Sequence, residues 1–303
     1  MQLVLTEILN VVLPVFLLLG VGFIVGKTMA IDSKSVSDLS IYVFSPALFF
    51  YSVSTSEMDM DDLGRIVVFS FTLFLMFAGF VWMAGKLFKW DQTYQNTLML
   101  ASGFPNAGNY GLPIILFAFG EAGVAIGIIY LVMQSFLMNS AGVFYASNHR
   151  QAPKKDIFLT VVRMPGFIAI LLALLLKITG IPVPAAIESA TGLLGQASIP
   201  TMLTLLGITL ASIQLKNVIT FIGTAVLFKL VAFPALAFVL LQLLYPADTL
   251  EAKVLLVAAA TPTAATTTLL AIKFNMNPDL VSSAMFVSTI ASIVTIPILL
   301  LVL

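Results

Sequence analysis

The stretch Gly103-Phe104-Pro105-Asn106-Ala107-Gly108-Asn109-Tyr110-Gly111-Leu112-Pro113 lies inside an apolar segment, 93 to 118, that is long enough to cross a bilayer. Its three glycines, two prolines and two asparagines favour an unwound crossing over a plain proline kink. A second Pro-centred break, Thr261-Pro262-Thr263, occupies the matching place in the segment 252 to 272. Lipid cannot satisfy backbone N–H and C=O groups freed by such breaks, so protein or a water-filled cavity must surround them. Two interrupted spans in equivalent halves are the pattern of a transporter with its site at the breaks.

Composition supports a membrane setting. Of 303 residues, 60% are apolar and 9% charged, against about 25% charged in a soluble domain. There is no cysteine, which excludes disulfides and thiolate chemistry. The net charge of zero says nothing of an acidic partner, and no nucleic-acid partner, cofactor or metal is expected. Met1 to Gly26 carries Glu7 and no Lys or Arg before Lys27, so it lacks the basic start of a signal peptide and reads as a retained first helix.

Ten apolar segments lie between clusters of charge and turn residues: 3 to 26, 36 to 54, 65 to 86, 93 to 118, 122 to 146, 157 to 178, 187 to 212, 217 to 245, 252 to 272 and 279 to 302. The expectation is an all-α integral membrane protein with ten transmembrane helices. Alternate loops on one side hold Lys27, Lys34, Lys86, Lys89, Arg150, Lys154, Lys155, Lys216 and Lys273, whereas the other side has only Arg65, Lys177 and Lys253. The positive-inside bias then puts both termini outside the cytoplasmic membrane. The acidic loop Glu57 to Asp62 falls outside as a solvated turn.

The polar stretch Ser147 to Asp156 divides the chain in half. Residues 1–147 read as one five-span repeat, 148–156 as a short basic linker and 157–303 as a second repeat; odd span numbers force the halves to insert upside down. Ala101, Pro105 and Ala107 recur at one offset as Ala258, Pro262 and Ala264.

Buried polarity narrows the chemistry. Lys229 is 13 residues beyond Lys216, about 20 Å along a helix and too deep to snorkel, so it should face a cavity or a partner. A lysine donating to the carbonyls of a broken helix remains open beside a substrate role. Arg163, close to the basic loop, reads as snorkelling. Glu7, Glu121, Glu188 and Asp279 fall near segment ends, which disfavours a cation pump built on a central carboxylate. Asn106, Asn109, Thr263 and Thr266 to Thr268, with Lys229, suit an anion oriented by hydrogen bonds. Gln134 and Asn139 read instead as interhelical glue. No metal motif, paired aspartates or Ser/His pair supports an intramembrane enzyme, and His149 reads as surface. The Gly22 and Gly26 spacing is too common to assign an interface.

The chain resembles the auxin efflux carrier family, which includes plant auxin exporters and bacterial malate or malonate permeases. The residues carrying the resemblance are Pro105-Asn106-Ala107 leading to Gly111-Leu112-Pro113, Lys229 to Pro234, and Phe274-Asn275-Met276-Asn277-Pro278-Asp279 running to Ile296-Pro297. It covers nearly the whole chain. The resemblance implies two inverted five-helix repeats with crossed broken helices four and nine, a homodimer built on a scaffold including helices two and seven, and elevator-like motion of helices three to five and eight to ten. It places Asn106 on the substrate carboxylate and Thr263 at the equivalent point of span nine, where plant members carry an amide. The break itself would consist of Gly103, Pro105, Gly108, Gly111, Pro113 and Pro262. The expected function is a secondary transporter of a small organic carboxylate, in contact with membrane lipid. The alternatives are a sodium-coupled anion symporter of the bile-acid type and a receptor that binds an anion without moving it.

Overall fold

A computed structural model describes residues 2–147, 162–213, 218–246 and 248–303. The expected linker 148–156, with His149, Arg150, Lys154 and Lys155, and also Lys216, lie outside the described residues. All regular structure among the described residues is helical. The helices are α1 (Gln2–Thr28), α2 (Ser33–Thr55), α3 (Met60–Leu87), α4 (Gln92–Ser102), α5 (Ala107–Ala146), α6 (Pro165–Thr179), α7 (Ala185–Ala211), α8 (Ile219–Leu244), α9 (Leu250–Ala260), α10 (Ala265–Phe274) and α11 (Pro278–Val302).

Seven of these, α1, α2, α3, α5, α7, α8 and α11, are long and apolar enough to cross a membrane. The chain is a multi-pass membrane protein. The short helices α4, α9 and α10 have an identifiable cause: they are pieces of the two segments interrupted at Gly103 to Asn106 and at Thr261 to Ala264. The long α5 leaves helical geometry at Gly120 (φ 68°, ψ −165°), a conformation suited to glycine. Single π-helical turns interrupt α2 at Ser40–Phe44, α5 at Ala107–Gly111 and Met138–Gly142, and α8 at Phe228–Ala232. Such turns concentrate at functional positions, and two of these contain Asn109 and Lys229.

Three of the helices carry an aspartate cap at their start. Asp59 accepts from Asp62 N at the start of α3, and Asp91 accepts from Tyr94 N at the start of α4. Asp32 does the same for α2, and the hydrogen bond from the Ser35 hydroxyl holds its carboxyl below the usual range.

A helix apolar on every side is what a bilayer allows, with one face against protein and the other against lipid. On α3, Ile66, Phe69, Leu73, Phe77 and Val81 recur every three or four residues and are buried, while Val68, Leu75, Trp82 and Met83 are exposed. Two sets of helices pack mostly within themselves: α1 with α7 and α2 with α6 and α7 in one, α3, α4, α5, α8, α9, α10 and α11 in the other.

Lipid tails give apolar helices no hydrophobic reason to associate, so close backbone approach has to do so. Here α1 crosses the second half of α7 at glycines. A Cβ on Gly22 would collide with the Thr204 carbonyl, one on Gly207 with the Leu19 carbonyl, and one on Gly26 would lie 2.9 Å from Ile208 Cα. The Gly22 and Gly26 spacing therefore does mark an interface, within the chain itself. Gly22→Ala is expected to destabilise the detergent-solubilised protein by about 1–3 kcal/mol through overpacking. Gly20→Ala, with nothing within 4 Å of the added carbon, should change stability by no more than about 0.5 kcal/mol in the same thermal-unfolding assay.

Candidate functional site

The two interruptions meet. Pro105 and Thr263 form an isolated antiparallel bridge, in which Asn106 N donates to Pro262 O at 2.8 Å and Ala264 N donates to Phe104 O at 3.0 Å. Each unwound strip thereby supplies the partners that the other lost when its helix stopped. Proline suits this place because Pro105 and Pro262 bring no N–H that would need an acceptor.

The ends of the half-helices are treated individually. At the C-terminal end of α4, Ala101 O accepts from the Thr263 hydroxyl. At the C-terminal end of α9, Ala259 O accepts from Lys229 Nζ at 2.8 Å and Ala258 O accepts from the Thr261 hydroxyl at 2.7 Å. The starts of α5 and α10 have no side-chain cap, as is also true of α6, α7, α8 and α11. Uncapped first turns leave N–H groups and the positive end of a helix dipole directed at the crossover.

Asn106 lies between these ends. It is 5% exposed, and its side-chain Nδ2 is buried without a hydrogen-bond partner. Asn109 is half-buried in the adjoining π turn. Gly103, Pro105, Gly108, Gly111, Pro113 and Pro262 are all buried around the break. At Gly108 an added Cβ would lie 3.3 Å from Leu131, and at Gly111 an equal distance from the Thr261 methyl, so small residues allow the close packing.

Thr263 and Lys229 are engaged with backbone. Besides its hydroxyl bond to Ala101, Thr263 donates its N–H to Ser288 Oγ on α11 at 3.2 Å. Lys229 is wholly buried in its π turn, with Nζ 4.1 Å from the centroid of the Phe233 ring. Of the two roles left open for this lysine, binding broken-helix carbonyls is the one this geometry realises. Thr266 is exposed, Thr267 bonds back to Ala264 O, and Thr268 Oγ1 has no partner.

Some of the site was not anticipated from sequence. Ser288, and Ser292 one turn further along α11, are fully buried; Ser292 meets the Tyr110 hydroxyl at 2.8 Å. Their four-residue spacing in an apolar span was the available signal. Gln134 Oε1 and Tyr130 OH are buried without partners, so the glue expected of Gln134 is not formed through its oxygen. Residues 130 and 134 share a helix face, and Leu131 beside them abuts Gly108. Asn139 donates to Ser135 O of its own helix. The strips of the crossover are buried, and an open cleft of about 260 Å³ lies elsewhere, between Tyr51 of α2 and Glu188, Gly192 and Gln196 of α7.

A family model described as membrane transport protein matches residues 7–300. The chain belongs to that family. It is the auxin efflux carrier grouping to which the motifs at Pro105 to Pro113 and Phe274 to Asp279 point. An uncharacterized transporter of Methanocaldococcus jannaschii is 27% identical over 297 residues, covering 95% of this chain and 96% of the relative. A Rhizobium meliloti protein named "Putative malonate transporter" is 24% identical over 302 residues, covering 96% and 94%. An uncharacterized transporter of Escherichia coli K12 is 21% identical over 308 residues, covering 97% and 96%.

Ser288→Ala is expected to leave the Thr263 N–H unpaired inside the protein and to cost about 1–3 kcal/mol in thermal unfolding. Ser282→Ala removes a hydroxyl bonded only to Asp279 O of its own helix and should be nearly neutral in the same measurement.

Proposed function

We propose that this family member is a secondary transporter for a small organic carboxylate, held at the crossover. The observation that carries this reading is the Asn106 amide, an N–H₂ donor buried at the meeting point of two unwound strips with no partner of its own. A buried polar group without a partner costs stability, and a carboxylate oxygen would satisfy it. The uncapped starts of α5 and α10 add donors and positive dipole ends. Asn109 borders the same turn. Thr263 shapes the site by holding α4, and Lys229 donates to the carbonyl end of α9.

Ten spans in two inverted repeats, with residues 1–147 and 157–303 as the halves and both termini outside the cytoplasmic membrane, complete the architecture. The division into two helix sets supports an elevator in which α3, α4, α5 and α8 to α11 move against α1, α2, α6 and α7; a homodimer through the latter set belongs to the same proposal. A buried site that must open alternately suits such motion. Membrane potential alone can drive an anion out, at about 2.3 kcal/mol per charge per 100 mV.

Malonate, prompted by the Rhizobium relative, leads a panel of mono- and dicarboxylates to be tested by thermal stabilisation of the purified protein. At least one should stabilise the wild type. Asn106→Ala should weaken that ligand about 10- to 100-fold, the loss of a hydrogen bond to a charged group, whereas Asn139→Ala should bind as the wild type does. An Asn106→Ala variant that binds unchanged would remove the amide from the site.

A further inference from the structure

The two interrupted segments stop in the protein interior, and each stop leaves the negative end of a helix dipole with carbonyls that water cannot reach. In carriers built on discontinuous helices, such C-terminal ends commonly coordinate a sodium ion or a proton. Here the two ends differ. The end of α4 meets a neutral hydroxyl, Thr263 on Ala101 O. The end of α9 meets a primary amine, Lys229 Nζ, 2.8 Å from Ala259 O.

Two of the groups around that amine attract a cation. The Phe233 ring face lies 4.1 Å away, and a ring face attracts cations, the more so when they are desolvated. Carbonyl oxygen is a ligand type that hard cations take. No carboxylate among the described residues comes within ion-pair distance of Lys229; Lys253 and Asp248 pair on the surface near the other end of α9. The side chain is fully buried, so it excludes water from the position it fills.

We propose that the Lys229 ammonium is a covalently attached substitute for a coupling cation, filling at the end of α9 the position that a sodium-coupled carrier would give to an alkali ion. The chain then binds its anion without a co-bound metal ion. The inference rests on the anion site proposed above, because a fixed charge beside the crossover is what removes the need for a mobile one.

The test is thermal unfolding of the ligand-free protein in sodium, lithium, potassium or N-methyl-D-glucamine chloride at one ionic strength, for wild type, Lys229→Arg and Lys229→Ala, followed by malonate titration of the wild type in the sodium and glucamine salts. Wild type and Lys229→Arg should melt at the same temperature in all four salts. Lys229→Ala, with the carbonyl freed and the side-chain volume vacated, should melt lower in the glucamine salt and recover part of the loss in sodium or lithium. Malonate should shift the wild type equally in both salts. The proposal is overturned if the wild type is stabilised selectively by sodium, if malonate needs sodium to bind, or if Lys229→Ala responds to no alkali ion or cannot be purified in any of the salts. If malonate and the other carboxylates shift nothing, the anion site falls, while the ligand-free salt series still decides the role of the lysine.

Discussion

Everything at the centre of this protein depends on two strips of backbone, 103 to 106 and 261 to 264, satisfying each other where neither lipid nor water can. The reciprocal bonds from Asn106 N to Pro262 O and from Ala264 N to Phe104 O make the double interruption tolerable. They also fix the geometry around it. Because the strips run antiparallel, two helices end and two begin around one point. Thr263 and Ser288 anchor the strips to α4 and α11, and glycines at 108 and 111 let the neighbouring helices close around them.

Much of this was legible in the residues. Gly, Pro and Asn clustered at 103 to 113 report a local backbone constraint, and such constraints are written where they act. The apolar segments are equally readable, since a span must be long and uncharged regardless of its neighbours. The contacts that give the breaks their meaning are not local: the Thr263 hydroxyl donates to a carbonyl 162 residues away, and Ser288 Oγ accepts from a backbone N–H 25 residues away. Nothing in a single sequence distinguishes a serine on α11 that receives a backbone N–H from one that merely bonds its own helix. The same applies to Gly22 and Gly26, a spacing common in membrane helices, whose partner Gly207 only the fold identifies. Among the described residues seven helices pass the length and hydropathy requirement: interruption divides the segment 252 to 272 into α9 and α10, and α5 runs on from the first break through both 107 to 118 and 122 to 146.

Polar groups inside the protein fall into two kinds. Thr261, Thr263, Thr267, Ser288 and Ser292 are spent on backbone or on one another and therefore build the site. Seven side chains among the described residues keep a buried polar atom without a partner, and Asn106 Nδ2, Tyr130 OH and Gln134 Oε1 are three of them. The amide of Gln134 can turn over, exchanging its acceptor for a donor, so all three residues are able to offer N–H or O–H groups to an anion. A membrane interior does not leave donors unused without cost, and the Asn106 amide lies at the crossover itself.

The central claim is that the crossover carries an anion from one side of the membrane to the other. Counterflow of labelled malonate into proteoliposomes preloaded with unlabelled malonate tests it most directly. Transient accumulation of label above that in protein-free vesicles, abolished when the internal malonate is omitted and the membrane potential is clamped at zero, is the expected result. Label that binds the protein but never exchanges into the vesicle lumen would contradict transport and leave a receptor for the anion.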